Sequence, residues 1–581
     1  MNTYQLALGK TPLSNTGKKT YPMGPWCFVG NEDKFPNWEN EYKFPRIFPS
    51  ISARSDAYED CLKILDAIFP SFLIRYKKEF SIKEKYPDSF FRHILGPTLI
   101  KTISMIVGRT KYIEKFIELN ADKNFIIPFC NKSHIQSSVD IYCVPEVHDW
   151  INFAILNSLS PPNVKISESL QEAKNNHQKN QVSESHQAGK AGKADIKNQI
   201  ISFLRKRNKY FRGIYGPTIW EELYLDFILK FKPRLELKAM PTSETKVGSN
   251  IGHASSLDFI QSMCLELLPE PLGLNFNKSN QSALAELETY GNVQGKVLLG
   301  QTAVHNDLRI FFHAHWLLQG GRIGYAQHGG VYEAVKDHWA SQIYEFLSDY
   351  FFSWGWIPPK EESYAAKFVP LPSFELSAMK NKHHECNNNL IYVGSSINPY
   401  YDGILMSEPI DAISYRASKQ KFLQHVNTDV MGALFYREMQ SRHKTELEDW
   451  DYLRKKGYNL PALKGHLISQ AIYSRAVIAD HYGTVFIQCL SANIPIIIFF
   501  GEQDYNLRED IENYFKLFKK VGIFHESPES AAQFLNDNFN SISEWWSTPE
   551  LQQIRQDFCR KYAYTSDNCL KEWAKALWSL Q

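Results

Sequence analysis

Three short stretches carry residue types that can bind an anion and move a proton. QHGGVYE (Gln327–Glu333) sets a histidine beside two consecutive glycines. Paired glycines let a ligand approach the backbone closely, and a histidine there can hydrogen-bond a phosphate or carry a proton. The same residues also read as a plain glycine turn with a solvent-facing His328. DHYGT (Asp480–Thr484) lies between an apolar run and a helical pattern. Gly483 permits a tight turn, Thr484 can cap the helix, and the N–H groups at its start attract an anion; an ordinary capped helix start is the competing reading. Arg437, closing GALFYR, offers a rigid fork of fixed charge to phosphate or carboxylate, although most arginines are solvated.

Two further groups are weaker. His305, Asp307, His313 and His315 lie close together in HNDLRIFFHAHW, but their spacing fits no zinc signature, and His313 and His315 face different sides of a helix. No metal is expected, and Asp307 reads as a helix cap. GPWCFVG (Gly24–Gly30) reads as strand plus turn, with Trp26 either stacking on a sugar face or joining the core.

The elements that must position these residues are βα units. KVLLG, RIGYAQ, SDYFFSWG, NLIYVGSS, GALFYRE, AVIAD and IPIIIFF read as strands. The last is apolar without alternation, as befits a parallel strand covered on both faces. Together they predict a doubly wound α/β region. Tyr58 to Leu119 is helical in period, and FIIPF (Phe125–Phe129) is a short apolar run. Ser160 to Lys197 is polar, Pro-containing and free of aromatic residues, which reads as a flexible insertion. At the C-terminus, Ser527–Pro528 and Thr548–Pro549 each predict a helix start. Leu551, Ile554, Phe558 and Tyr562 form one apolar stripe, and Leu570, Trp573, Ala574 and Leu577 another.

The bulk composition fits this reading. Its 581 residues exceed a single core. A formal charge of +2, from 65 Lys+Arg against 63 Asp+Glu, supplies no field for nucleic acid. The nine cysteines form no CxxC pair, so neither a zinc site nor a disulfide framework is expected. No stretch approaches the roughly 20 apolar residues of a membrane span.

GPWC, QHGGVYE, the arginine of FYRE, ADHYGTVFIQCLSANIPIIIF and the tail HESPESAAQFLNDNF resemble a family of bacterial transferases encoded with surface-polysaccharide loci. More distantly the chain is similar to GT-B enzymes that use CMP-linked Kdo. The resemblance implies two Rossmann-type domains facing a cleft, with extra N-terminal helices and C-terminal helices crossing back. The corresponding divisions are 1–159, an insertion at 160–197, 198–335 on the acceptor side, 336–540 on the donor side, and helices over 541–581. It implies transfer of a sugar, such as a CMP-linked ulosonic acid, to a glycan or lipid-linked acceptor. The location would be cytoplasmic, at most peripheral to the inner membrane, with no cofactor and no metal. His328 would be catalytic. Gln327, Gly329, Gly330, Arg437, Asp480, His481, Gly483 and Thr484 would hold the donor, and Trp26 and Tyr332 would lie on the acceptor side. Glu32, His148 and Asp149 could serve as a general base, although each reads more readily as structural. An epimerase or hydrolase, or a non-catalytic nucleotide-sugar-binding subunit, are the alternatives. After the arginine this chain carries EMQSRHKTELEDWDY (Glu438–Tyr452) where the family pattern has a proline, a tyrosine and a Gly-Trp pair.

The composition of Ser160–Lys197 cannot offset the entropy of ordering it. Limited proteolysis is expected to cut there first, and mass spectrometry of the early fragments checks it.

Overall fold

A computed structural model describes residues 2–9, 19–30, 32–35, 37–132, 134–167, 214, 216–228, 253–300, 307–336, 344–384, 387–395, 398–400, 403–404, 407–438, 447, 449–501 and 504–580. Three separate parallel sheets carry the chain. The first holds β1 (Thr3–Ala7), β2 (Thr20–Pro22), β3 (Asn124–Ile127) and β4 (Val164–Ile166) in the order β2-β1-β3-β4. The long helices Ile51–Glu79 and Asp88–Leu119 pack on one another in this part of the chain. The expected insertion at 160–197 lies outside the described residues from 168 onward, and its first residues supply β4.

The second sheet runs in sequence order: β5 (Val297–Gly300), β6 (Arg322–Ala326), β7 (Tyr350–Ser353) and β8 (Lys367–Pro370). A boundary at 335/336 would therefore cut through a hydrogen-bonded sheet. The third sheet holds β9 (Leu390–Val393), β10 (Leu434–Arg437), β11 (Ala476–Ala479), β12 (Ile496–Phe499) and β13 (Phe524–His525), ordered β10-β9-β11-β12-β13. Every residue of β9, β11 and β12 is buried, as their unbroken apolar sequences require. The chain enters this sheet at β9, adds β10 on one side and then crosses to β11 on the other. The connections after β9 and β11 consequently run in opposite directions, which makes the junction of these two strands a topological switch point.

Several local expectations change. GPWCFVG forms a 3-10 turn over Pro25–Phe28 in place of a strand, because Pro25 starts a helical turn more readily than it joins a ladder. Gly432 and Ala433 end the helix Thr428–Ala433. Ser527 does cap its helix, accepting from Ser530 N, whereas the Thr548 hydroxyl turns back to Trp545 O. The helix Pro549–Tyr562 packs on the third sheet's helices through Phe558. Cys569–Ser579 packs on the second sheet, with Trp573 against Phe352 at 5.2 Å between ring centroids.

A buried ionic cluster joins the N-terminal region to the third sheet. Arg416, on the helix Asp411–His425, donates from Nε to Asp449 at 2.8 Å and from Nη1 to Glu32. One turn on, Lys419 Nζ donates to Ser395 O at 2.7 Å, to Tyr436 Oη at 3.0 Å and to Asp449. Beside it, the carboxylate of buried Glu408 accepts from the main-chain N–H groups of Ile47 and Phe48. Removing one member of such a cluster leaves the opposite charges without their counterion in a dry setting. Arg416→Ala is expected to cost about 3–5 kcal/mol, read as a lower urea midpoint at unchanged slope.

Candidate functional site

The loops after β6 and β11 meet. Gly330 N donates to Thr484 Oγ1 at 3.0 Å. A Cβ on Gly329 would stand 2.9 Å from that hydroxyl, and one on Gly330 would stand 2.9 Å from the Gly483 carbonyl carbon. A side chain at Gly330 would press on the facing backbone, and one at Gly329 would displace the Thr484 hydroxyl. Thr484 is the first residue of the helix Thr484–Ala492, with extended Gly483 as its cap. Its hydroxyl therefore serves the opposite loop, and the expectation that it caps its own helix is corrected.

The contact continues through the chain. Arg508 N donates to Ala334 O at 2.8 Å and Lys336 N to Asn506 O at 2.9 Å, forming an antiparallel bridge between Val335 and Leu507. Within the turn Val331 has φ +91°, a strained conformation for a β-branched residue. The tightly packed partners on both sides hold it there.

Glu333 is the residue that the sequence reading passed over. Fully buried, it accepts from Gln327 Nε2 at 2.9 Å, from Val331 N at 3.2 Å and from the Tyr482 hydroxyl of the facing loop. Burial pushes its carboxyl up to about 7, against the opposing pull of those hydrogen bonds and of Arg508. Its only signal in the sequence was its place in QHGGVYE; its partner Tyr482 is 149 residues away.

Gln327, expected to touch a donor, is buried and fully engaged. Its amide nitrogen serves Gly329 O and Glu333, and its amide oxygen accepts from Trp354 N and Trp356 Nε1. It shapes the loop. His328 is more open, its side chain 31% exposed, with the Tyr332 hydroxyl 2.9 Å from Nδ1 and Glu345 3.8 Å away. Burial lowers its pKa, only partly offset by a hydrogen bond with Ala326. Tyr332 is buried and stacked on Phe351, so it supports His328 and does not present a face to a second substrate. Trp26 likewise lies in the core, its indole N–H donating to Leu8 O at 2.8 Å.

At the switch point, Asp480 is buried just past the end of β11. It accepts from Tyr392 Oη at 3.1 Å, Ser395 N at 3.3 Å, the Tyr415 hydroxyl and His481 Nδ1 at 3.0 Å, with Lys419 Nζ 3.8 Å away. Burial alone would raise its pKa; Lys419, His481 and Tyr415 overcome that and hold it below the usual carboxylate value. Direct donor contact from Asp480 is thus replaced by a supporting role, while His481 stays 21% exposed at the surface. Arg437 ends the edge strand β10, half-buried, with Nη1 donating to Leu463 O at 3.0 Å; β9 lies between it and β11.

The candidate bases are occupied elsewhere: Glu32 pairs with Arg416, His148 is buried between Arg109 and Tyr400, and Asp149 lies where a side chain on Gly9 would be. His313 meets Tyr344 and Tyr325, His315 meets Asn280, and Asp307 accepts from Ser138 N in place of capping its helix. His305 lies outside the described residues. Among the described residues no group of three or more His, Cys, Asp or Glu is placed to hold a metal ion, and no helix is long and apolar enough to cross a membrane.

Parallel sheets interleaved with helices, with glycine loops at the carboxyl ends of β6 and β11, make this an α/β protein of Rossmann-like build. Residues 4–577 match the model of the LIC12162 family transferase, and the chain belongs to that family of transferases. Among curated proteins nothing matches it.

Because the folded carboxyl of Glu333 holds its proton to higher pH than the unfolded one, the native state binds more protons between about pH 4.5 and 7. The contribution of Glu333 to stability therefore falls as pH rises through that window. Glu333→Gln is expected to remove this slope, changing the difference between wild type and variant by about 2–3 kcal/mol from pH 5 to pH 8. Denaturant titrations of both proteins across that range check it.

Proposed function

We propose that this transferase moves a sugar from a nucleotide donor, of the CMP-linked ulosonic acid kind, to a glycan or lipid-linked acceptor, with a GT-B division of labour. The observation that carries the reading is the junction of Gly329–Gly330 with Gly483–Thr484, which joins the loop that carries His328 to the loop after β11. Donor phosphate would lie at the start of the helix Thr484–Ala492, where oriented N–H groups favour an anion. Arg437 supplies fixed positive charge along the same sheet edge. His328 faces the reacting centre from the other sheet, and Gln327, Glu333, Tyr332 and Asp480 hold these groups in place. The acceptor enters from the side of the first two sheets. Fixed cations and helix N–H groups perform the leaving-group stabilisation that other transferases assign to a metal, and the same location, cytoplasmic or peripheral to the inner membrane, follows from such substrates.

Incubation with CMP-, UDP- and GDP-linked sugars and a cell-envelope extract, followed by mass spectrometry, tests the reading. Donor-dependent growth of the acceptor supports it; donor breakdown without growth points to a hydrolase or epimerase, and nucleotide-sugar binding without turnover to a carrier subunit. Activity is expected to survive EDTA. Arg437→Ala should remove about 2–4 kcal/mol of donor or transition-state binding, and His328→Ala should lower kcat by roughly a hundredfold, both at unchanged melting temperature.

A further inference from the structure

His481 and Asp480 form a pair whose geometry exceeds what donor binding requires. His481 Nδ1 lies 3.0 Å from Asp480 Oδ1, so Nδ1–H donates to the carboxylate and Nε2 is left as the working nitrogen. The carboxylate cannot turn away: Tyr392 and Tyr415 donate to it from β9 and from the helix Asp411–His425, Ser395 N donates from the loop after β9, and Lys419 faces it at 3.8 Å. Asp449 shares the Lys419 ammonium, and Tyr436 and Tyr505 also act electrostatically on Asp480. A Cβ on Gly483 would lie 3.2 Å from His481 Cδ2 and 3.4 Å from Nε2, so the Cδ2–Nε2 edge of the ring lies on the side of Gly483. A merely solvated histidine would have no reason to be oriented by a fully buried, five-partnered carboxylate, and this one stands at the topological switch point.

Resting on the transfer reading above, we propose that His481 is the proton donor to the leaving phosphate and that Asp480 is its positioning residue. The bond between the anomeric carbon and the phosphate oxygen breaks, and its electron pair stays on that oxygen, which receives the Nε2 proton. The acceptor hydroxyl oxygen forms the new bond to the anomeric carbon and releases its proton to solvent, from which the imidazole is reprotonated. Asp480 stabilises the imidazolium before transfer, as a carboxylate paired with a catalytic histidine does elsewhere.

Three measurements test this on the full chain. In spectra of the 15N-histidine-labelled protein, neutral His481 is expected as the Nδ1–H tautomer, and Asp480→Asn should abolish that preference; an Nε2–H tautomer in the wild type overturns the pairing with no substrate present. His481→Gln is expected to lower kcat on the active nucleotide sugar by roughly a hundredfold or more, with CMP binding by calorimetry changed less than about threefold, since one charge-assisted contact alone is modest. On the corresponding glycosyl fluoride, whose leaving group needs no full proton transfer, the variant should approach wild type. Equal losses on both donors overturn proton donation. Asp480→Asn should lower kcat more than KM and move the alkaline fall of activity to lower pH; a wild-type pH profile overturns its positioning role. If the wild type transfers no sugar from any donor, the transfer reading itself falls and takes the proposal with it, whereas wild-type activity that survives His481→Gln overturns the proposal alone.

Discussion

Two loops from different sheets touch where the Gly330 backbone leaves no room for a side chain, and the geometry of the site follows from that contact. With Gly330 N against Thr484 Oγ1 and backbone against backbone at Gly483, the β6 loop has to turn sharply, which forces Val331 into a positive φ. That turn drives Glu333 inward, away from water, where it is satisfied only because Gln327 lies behind it and Tyr482 reaches over from the facing loop. The main-chain bridge at Val335 and Leu507 then fixes the direction in which the chain departs. A buried polar network of this kind is stabilising only when its members are all partnered, so loop, glutamate and facing tyrosine stand or fall as a unit.

Behind the third sheet, charge plays the part that glycine plays in front. Asp449 and Asp480 flank Lys419, and Arg416 extends the array to Glu32. Such an array adds little net stability compared with apolar packing. Its use here is geometric: it fixes the carboxylate of Asp480 at the end of β11, and with it the ring of His481. His481, at the surface, is thereby mounted on a rigid support and not on its own loop alone.

The sequence revealed the strands whose both faces are covered. β5, β6, β7, β9, β11 and β12 read as apolar runs because burial on two sides admits little else. β1, β2, β4, β8 and β13 escaped because they are two to five residues long and mix Thr, Tyr, Lys and His with apolar residues, leaving no period to detect. The two glycine loops were legible as motifs, and their meeting was not, since it depends on packing between segments 154 residues apart. For the same reason Gln327, Asp480, Trp26 and Tyr332 read as contact residues. Whether a polar or aromatic side chain faces a ligand or the core is decided by partners such as Trp356, Tyr415 and Phe351, which lie elsewhere in the chain. Glu333 failed in the opposite sense, as an acidic residue ending a motif reads as solvated until its burial is known.

The ion pair between Glu32 and Arg416 spans 384 residues, and that separation bears on how the polypeptide is made. At ribosomal rates of 5–20 residues per second, Glu32 is synthesised about 20–80 s before its counterion exists. The N-terminal strands are available early, but their docking surface stays hydrated and incomplete throughout that interval. Closure of the molecule is thus a late, non-local event in its biogenesis, of the sort that makes folding slow. A nascent chain halted before residue 416 would present an acidic, unfilled socket in place of the finished junction.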